Sequence, residues 1–333
     1  SGAGAQGGGV NTMPTRTGTG STSSQRRVVL VTRRTRLDDL VQRHHTLGQA
    51  RFYLEHLGAD FGDYLAENEA YLRSLREVVR ALEAWGRWQM VDRSLLPNVV
   101  FDQTDIVVAL GQDGLVANTM KYLQGQPVIG LNPEPERWDG LLLPHRPGDL
   151  GALLPEVALG RTATRAVTMA EARLSDGQVL RAVNDLFIGP RTHTSAQYEL
   201  SFDGRREWQS SSGLIVSTGL GSTAWLRSVV TGSLAIAAAW GHQTATTQAY
   251  TPLPWDAGQL VFAVREPFPS RRSQVGLVCG QVDAKHPLEI RSGMPEHGVI
   301  FSDGIEADFL RFNAGVSARI GVAATQGCLI SSG

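Results

Sequence analysis

The chain has 333 residues, of which 42% are hydrophobic and 19% are charged, and its formal net charge at pH 7 is -1. This length and composition are typical of a soluble globular protein with two domains, and they exclude a wholly disordered chain. A net charge near zero gives no global attraction to nucleic acid or to an anionic membrane. We therefore expect no nucleic-acid partner. Because no apolar run reaches the roughly 18 residues of a membrane-spanning helix, we also expect no membrane partner.

Cysteine and histidine usage excludes several other classes of site. Cys279 and Cys328 are far apart and show no CxxC or Cys/His spacing, so neither a disulfide framework nor a structural zinc site is predicted. The histidines show no HExxH spacing, and we assign no protein side chain as a metal ligand. Free cysteines fit a reducing cytoplasm, and an arginine-rich, lysine-poor composition suggests a bacterial source.

Residues 1–27 form a separate segment at the start of the chain. They are rich in Gly, Ser and Thr, contain no acidic residue and have no apolar face. Such a segment cannot bury enough apolar surface to offset the entropy of ordering, so it is predicted to be a disordered tail. Without an amphipathic face it is not predicted to be a mitochondrial targeting peptide.

Residues 28–150 alternate between β-branched runs and stretches with helical spacing. This alternation predicts a parallel sheet covered by helices on both faces, which is a Rossmann-like α/β domain. The predicted strands are Val28–Val31, Asn98–Phe101, Asp105–Leu110 and Pro127–Asn132, and the predicted helices are Asp38–Leu57 and Tyr64–Leu82.

Residues 151–302 have a different pattern, with short alternating runs separated by turn residues. Ala170–Leu174 and Gln178–Arg181 flank Ser175-Asp176-Gly177, and Tyr198–Phe202 precedes Asp203-Gly204. Aspartate–glycine pairs between alternating runs are strong hairpin signals, so this part is predicted to be a mostly β domain. Its one long helical candidate is Thr223–Trp240.

The turn Gly111-Gln112-Asp113-Gly114 is the first candidate site, because it follows a buried run and opens a stretch with helical spacing. Ligands of open α/β sheets bind at the carboxyl ends of the strands, where this turn and the loop after Asn132 are both expected. Free backbone N–H groups can hold a phosphate there, and Asp113 can accept a proton. The alternative is that Asp113 only caps the helix.

Two more segments combine polar side chains with buried strands. Ser217–Trp225 has two glycines and several hydroxyls before a helix, which suits a phosphate or ribose, although a helix cap without a ligand would use the same residues. It is neither a Walker loop nor a GxSxG elbow. Asn184-Asp185 interrupts an apolar run and fits either ribose or base recognition or a buried turn.

Taken in order, GQDG, PVIGLNPEPERWDGLLLP, AVNDLFIG and SSGLIVSTGLGSTAW resemble the series of motifs in NAD kinases, especially those of the mitochondrial-type branch. The resemblance implies a Rossmann-like N-terminal domain, a β C-terminal domain, a cleft between them, and a segment 303–333 that packs back on the first domain. It also implies transfer of the γ-phosphoryl group of ATP, with Mg²⁺, to the 2′-hydroxyl of the adenosine ribose of NAD, giving NADP. The family usually forms homodimers or homotetramers.

The resemblance also implies roles for individual residues. It makes Asp113 the catalytic residue, and its departures from the family pattern are Gln112 for the second glycine, Leu115 for a threonine, and Asp185 for a glutamate. These departures leave two alternatives: a kinase for another hydroxyl acceptor, such as a nucleoside or specialised metabolite, or an inactive dinucleotide-binding protein. The implied nucleotide and phosphate site contains Gly111, Gln112, Gly114, Asn132, Gly219, Gly221, Ser222 and Thr223, and the implied NAD site contains Asn184, Asp185, Thr218, Ala224 and Trp225.

Overall fold

The computed structural model describes residues 26–242 and 250–332. Over these residues the chain forms three six-stranded sheets and six α-helices. The first sheet belongs to an α/β layer, and the other two face each other in a β sandwich. This arrangement confirms the predicted class of an N-terminal α/β domain followed by a mostly β domain.

The first sheet has the strand order β2-β1-β3-β4-β18-β5, and its pairs are parallel except for β18 with β5. All residues of β1 and β3 are buried, as expected for strands covered on both faces. The strands are β1 (Val28–Thr32), β2 (Trp88–Asp92), β3 (Ile106–Leu110), β4 (Pro127–Leu131), β5 (Thr164–Val167) and β18 (Gly327–Ile330).

The helices cover both faces of this sheet. One face packs on α3 and α5 through an apolar cluster that includes Val78 and Leu154, and the other packs on α4 through a cluster that includes Val116 and Met120. The helices of the whole chain are α1 (Arg36–His44), α2 (Leu47–His56), α3 (Phe61–Trp85), α4 (Asp113–Met120), α5 (Leu150–Ala158) and α6 (Trp225–Ala239).

The second and third sheets are antiparallel, with the orders β10-β9-β14-β17-β6-β7 and β13-β12-β11-β8-β15-β16. Their inner faces share one apolar core, in which Tyr198 and Phe262 are among the largest buried side chains. The strands are β6 (Ala170–Leu174), β7 (Val179–Ala182), β8 (Asp185–Pro190), β9 (Ala196–Phe202), β10 (Arg205–Ser211), β11 (Leu214–Ser217), β12 (Leu260–Val264), β13 (Cys279–Val282), β14 (Leu288–Ser292), β15 (Gly298–Ser302), β16 (Ile305–Arg311) and β17 (Ser317–Val322).

The single helix predicted over residues 38–57 is wrong, because the chain forms two helices there. Thr35 caps α1, and its side chain accepts the N–H of Asp38 in a capping box. His45 then adopts a left-handed conformation with φ 65°, and Thr46 caps α2. Two N-caps separated by a left-handed residue stop one helix and start the next, which continuous apolar spacing alone does not reveal.

The strand predicted at Asn98–Phe101 is also wrong. A 3₁₀ helix occupies Arg93–Asn98, and the residues after it pair with no described strand, although Val99 and Phe101 pack against the core beside α4 and only Val100, at 85% exposed, faces solvent. The second strand of the sheet is instead β2, in a segment that the sequence analysis did not assign. The long helix predicted over residues 223–240 starts at Trp225, after a 3₁₀ turn at Gly221–Thr223.

The segment boundaries differ from the predicted ones. Residues 1–25 of the predicted tail lie outside the described residues, but Arg27 donates to the buried Asp105 and belongs to the folded part. The first sheet takes β5 from beyond the predicted boundary at residue 150, because β5 pairs with β18 at its edge. Within residues 303–333, β18 lies in the first sheet beside β4. Among the described residues, no helix is long and apolar enough to span a membrane.

Candidate functional site

Asp113 is the first residue of α4, directly after the carboxyl end of β3 and the turn at Gly111. Its carboxylate does not cap its own helix but accepts the backbone N–H groups of Leu142 at 2.7 Å and Leu141 at 3.1 Å. These donors belong to the loop that follows β4. The half-buried carboxylate is therefore held at the strand ends where two loops of the α/β domain meet.

The loop after β4 is organised by Asn132, which is buried. Its side-chain N–H donates to the carbonyl of Trp138, and its side-chain oxygen accepts the N–H of Glu134. Gly130 permits close packing here, because a Cβ at this position would lie 2.0 Å from the carbonyl oxygen of Leu142. Both polar atoms of the Asn132 side chain are thus used in shaping the loop that holds Asp113.

The two departures at the GQDG turn have local explanations. Gln112 is the N-cap of α4 with φ -114° and ψ 165°, an extended conformation open to any residue, and its side chain is exposed. Leu115 is 1% exposed and belongs to the core between α4 and the sheet. Gln112 therefore imposes no backbone strain, and Leu115 supplies apolar packing where a threonine would supply a hydroxyl.

The loop between β11 and α6 is held by its own hydrogen bonds and by the turn beside it. The side chain of Thr218 donates to the carbonyl of Val183, Ser222 donates to the carbonyl of Gly219, and Thr223 donates to the carbonyl of Leu220. A Cβ on Gly219 would lie 1.8 Å from the carbonyl oxygen of Pro254. In this structure the hydroxyls of Thr218, Ser222 and Thr223 hold the loop together, and the glycine allows close packing.

The turn between β7 and β8 lies against this loop. The N–H of Thr218 donates to the carbonyl of Asn184, and a Cβ on Gly221 would meet that carbonyl oxygen at 2.2 Å. Asp185 is 9% exposed, and its Oδ1 has no hydrogen-bond partner among the described residues. Burial, together with the like charge of Asp303 and against a hydrogen bond from Ser217, raises the pKa of the Asp185 carboxyl to about 7.

Helix α4 brings the two parts of the candidate site together. Leu115, Val116 and Met120 on this helix share a core cluster with Val183 and Leu220, which lie in the turn and the loop described above. Asp113 therefore starts a helix that belongs to the same apolar cluster as both polar segments of the second domain. Residues that are far apart in the sequence are gathered around one short helix.

Ala224 and Trp225 follow the loop and are exposed at the start of α6. The Trp225 ring stacks on Phe187 at 5.8 Å between centroids, and Arg265 lies 5.3 Å from the Trp225 ring. This stack extends to Phe301, which lies 6.2 Å from Phe187. Trp225 thus continues an aromatic row on the outer face of the third sheet.

Sequence reasoning missed two basic residues that contact the ends of α4. The Arg33 side chain is only 8% exposed and packs beside Gly111, and its Nε has no partner among the described residues although Glu67 pairs with the guanidinium. Lys121, at the end of α4, donates to Ser302 and pairs with Asp308. Arg33 follows directly after β1, so its place at the carboxyl end of a predicted strand could have marked it as a site residue. Lys121 contacts residues far away in the sequence, and no local pattern indicates these contacts.

Several curated proteins are similar to the chain in sequence. NAD kinase 2, mitochondrial, of Rattus norvegicus is 27% identical over 250 residues, which is 60% of this chain and 59% of that protein. The Homo sapiens protein of the same name is 28% identical over 253 residues, or 60% and 57% of the two chains. The NAD kinase of Burkholderia lata is 33% identical over 141 residues, or 40% and 46%. The chain thus spans about three-fifths of the length of its mitochondrial relatives.

Solved structures with a similar fold include yeast NADH kinase complexed with NADH, with a TM-score of 0.57 and 13% identity over 92% of this chain and 84% of that chain. An NAD kinase from Archaeoglobus fulgidus in complex with ATP has a TM-score of 0.50 and 15% identity over 92% and 93% of the two chains. At these identities the similarity concerns the fold. No family model matches the chain.

Proposed function

We propose that the chain, which is similar in sequence to NAD kinases and similar in fold to solved NAD(H) kinases, is an ATP-dependent NAD kinase that phosphorylates the 2′-hydroxyl of the adenosine ribose of NAD. The observation that carries this proposal is the gathering of the family's motif residues around α4. Asp113 begins that helix, and Val183 and Leu220, the neighbours of Asn184 and Gly219, belong to the apolar cluster that the helix enters. A kinase needs one acceptor hydroxyl and one phosphate donor held at such a junction.

In the proposed reaction Asp113 accepts the proton of the acceptor hydroxyl, whose oxygen bonds to the γ-phosphorus of ATP while the bond from that phosphorus to the bridging oxygen breaks and ADP leaves. The N–H groups of Leu141 and Leu142 fix the direction of its carboxylate, which favours a proton acceptor that is oriented before the substrate arrives. The unpartnered Oδ1 of Asp185 and the half-buried amide of Asn184 are suited to ribose hydroxyls and to a base edge. The buried guanidinium of Arg33 beside Gly111 is suited to a phosphate oxygen.

We propose Mg²⁺ as the cofactor that enters with ATP. Among the described residues, no group of three or more His, Cys, Asp or Glu side chains could hold a metal ion, so the donor set fits an ion carried mainly by the triphosphate. When bound, Mg²⁺ neutralises charge on the phosphate oxygens.

Both cysteines are free in the described part of the chain, which supports a reducing compartment such as the bacterial cytoplasm.

The two alternatives from the sequence lose their main support. The change at Gln112 favours both a kinase for another acceptor and an inactive binding protein, but its extended backbone shows that this residue does not strain the turn. Asp185, which replaces a longer carboxylate, still presents a free oxygen. NAD therefore remains the proposed acceptor.

We also propose that a second copy of this chain covers the outer face of the third sheet. The aromatic row through Phe187 and Trp225 is only half covered, and α6 beside it exposes Ile236 to 65% and Trp240 to 79%. Several exposed large apolar side chains on one helix and the adjoining aromatic row are typical of a subunit interface. A single Ile236→Glu substitution should lower the molar mass measured by light scattering, whereas an unchanged mass would contradict this interface.

The central test is a coupled assay with ATP, Mg²⁺ and NAD in which NADP is detected by an NADP-specific dehydrogenase. Wild-type protein should form NADP, and Asp113→Asn should keep the fold while turnover falls by about two to four orders of magnitude. Asp203→Asn, which changes an exposed carboxylate on a remote hairpin, is the matched control. NADP formation that survives Asp113→Asn would contradict the catalytic assignment, and no turnover by folded wild type would contradict the function.

A further inference from the structure

Asp303 lies at the tip of the β15–β16 hairpin and points its carboxylate into the turn between β7 and β8. Its Oδ2 accepts the N–H of Val183 at 3.0 Å, and its Oδ1 accepts the N–H groups of Asn184 at 2.6 Å and Asp185 at 3.3 Å. The N–H of Asp303 in turn donates to the carbonyl of Asp185 at 3.0 Å. One carboxylate thus satisfies three consecutive backbone donors of the turn that carries the proposed dinucleotide-binding residues.

The hairpin geometry alone does not explain this contact. Asp303 and Gly304 have φ 55° and 70°, as a two-residue turn of type I′ requires, and Asp203 and Gly204 have nearly the same values, 48° and 73°. The Asp203 side chain is 70% exposed, and its carboxylate lies 3.9 Å from the exposed ring of His286 rather than against a buried turn. The two hairpins therefore have the same turn conformation but differ in the groups that the aspartate carboxylate contacts.

The hairpin carrying Asp303 is itself fixed to α4. Lys121 at the end of that helix, with a side chain 1% exposed, donates to Ser302 at 3.1 Å and pairs with Asp308 at 3.0 Å. Ser302 donates to the carbonyl of Arg181 at 2.6 Å, just before the β7–β8 turn. The helix that starts at Asp113 is thus connected through this hairpin to the turn at Asn184.

Asp303 also places a second carboxylate close to Asp185. The groups near Asp185 are Asp303 from the hairpin, Ser217 from β11 and the phenol of Tyr250, and Lys121 from α4 acts on Asp303. Burial, together with the like charge of Asp303, opposes ionisation of Asp185, whose Oδ1 is left without a partner among the described residues. An unpartnered buried oxygen is stabilised by a hydroxyl donor, and a ribose hydroxyl is such a donor.

We propose that Asp303 is a positioning residue for the dinucleotide: it fixes the backbone of the Val183–Asp185 turn and couples the ionisation of Asp185 to ribose binding. The substrate part of this inference rests on the proposed NAD kinase function. Asp303 need not touch the ligand, since it acts through the turn. Binding by hydroxyls that donate to Asp185 favours the ionised carboxylate, so affinity should rise with pH.

Hydrogen exchange tests the positioning role without any ligand. Asparagine tolerates the left-handed backbone of position 303. In Asp303→Asn, however, a side-chain N–H group that donates replaces one of the two accepting oxygens. The amides of residues 183–185 should exchange at least about tenfold faster, while Asp203→Asn leaves them unchanged. Unchanged exchange at these three amides in folded Asp303→Asn would overturn the positioning role.

The pH dependence of NAD affinity, measured by calorimetry without ATP, tests the charge coupling. With a pKa of about 7 for Asp185, wild-type Kd should be about tenfold weaker at pH 6 than at pH 8. Asp303→Asn should bind more weakly at pH 8, and its Kd should change less between the two pH values than that of wild type, because burial still opposes ionisation of Asp185 but the like charge is gone. A pH-independent wild-type Kd, or parallel profiles in the two proteins, would overturn the coupling. No NAD binding by wild type would contradict the proposed function, whereas the exchange experiment would still decide the role of Asp303.

Discussion

Asp185→Asn should make the stability of the protein less dependent on pH. The Asp185 carboxyl is 9% exposed with a pKa of about 7, whereas an unfolded aspartate has a pKa of 3.8. Between these values the folded protein holds a proton that the unfolded chain has released, so the free energy of unfolding falls as pH rises. From pH 5 to pH 8 this single group accounts for a fall of about 2.5 kcal/mol, since one pKa unit corresponds to about 1.4 kcal/mol.

Urea unfolding at several pH values measures this effect directly. The amide that Asp185→Asn introduces does not ionise. From pH 5 to pH 8 the free energy of unfolding should therefore fall by about 2.5 kcal/mol less in the variant than in wild type. Asp303, whose pKa burial also raises, gives wild type and the variant a further slope of the same sign. Asp203→Asn should leave the wild-type slope unchanged. Parallel pH profiles for Asp185→Asn and wild type would refute the assignment of a raised pKa to this carboxyl.

Further substitutions test the local explanations. Gln112→Gly should leave turnover in the coupled assay within about twofold, because the wild-type side chain is exposed and its backbone unstrained; a large gain would instead show that Gln112 crowds the donor. Leu115→Thr should lower the unfolding free energy by about 1–3 kcal/mol in urea, since it puts a hydroxyl into a core position that is 1% exposed. Gly219→Ala should lower Tm, because its Cβ would meet the carbonyl oxygen of Pro254, whereas Gly232→Ala in α6, where a Cβ meets nothing within 4 Å, should raise stability by about 0.5–1 kcal/mol.

Local patterns in the sequence were enough to predict some parts of this molecule. The buried strand before Gly111 and the hairpin at Asp203 were predicted because period, turn residues and burial agree within a few positions. The strand predicted at Asn98–Phe101 is wrong because β propensity does not supply a pairing partner: Val99 and Phe101 pack against the core from an irregular segment that follows a 3₁₀ helix. Asp303 was missed for a different reason: its partners lie about 120 residues earlier in the chain, and a hairpin turn would use an Asp-Gly pair whether or not its carboxylate held another loop.

The side-chain hydrogen bonds distinguish residues that hold the candidate site together from residues whose polar atoms can contact a ligand. Thr218, Ser222 and Thr223 look alike in sequence as phosphate-binding hydroxyls, yet each donates to a nearby carbonyl in the folded loop. The adjoining turn is different, because its backbone donors are satisfied from outside by Asp303, while the Oδ1 of Asp185 has no partner in the described part of the chain. Under the proposed function, a loop whose hydroxyls are engaged would recognise the ligand mainly by shape and by its backbone, whereas the turn would recognise it by side chains. Discrimination between acceptors should therefore be most sensitive to substitutions at the turn rather than at the glycine-rich loop.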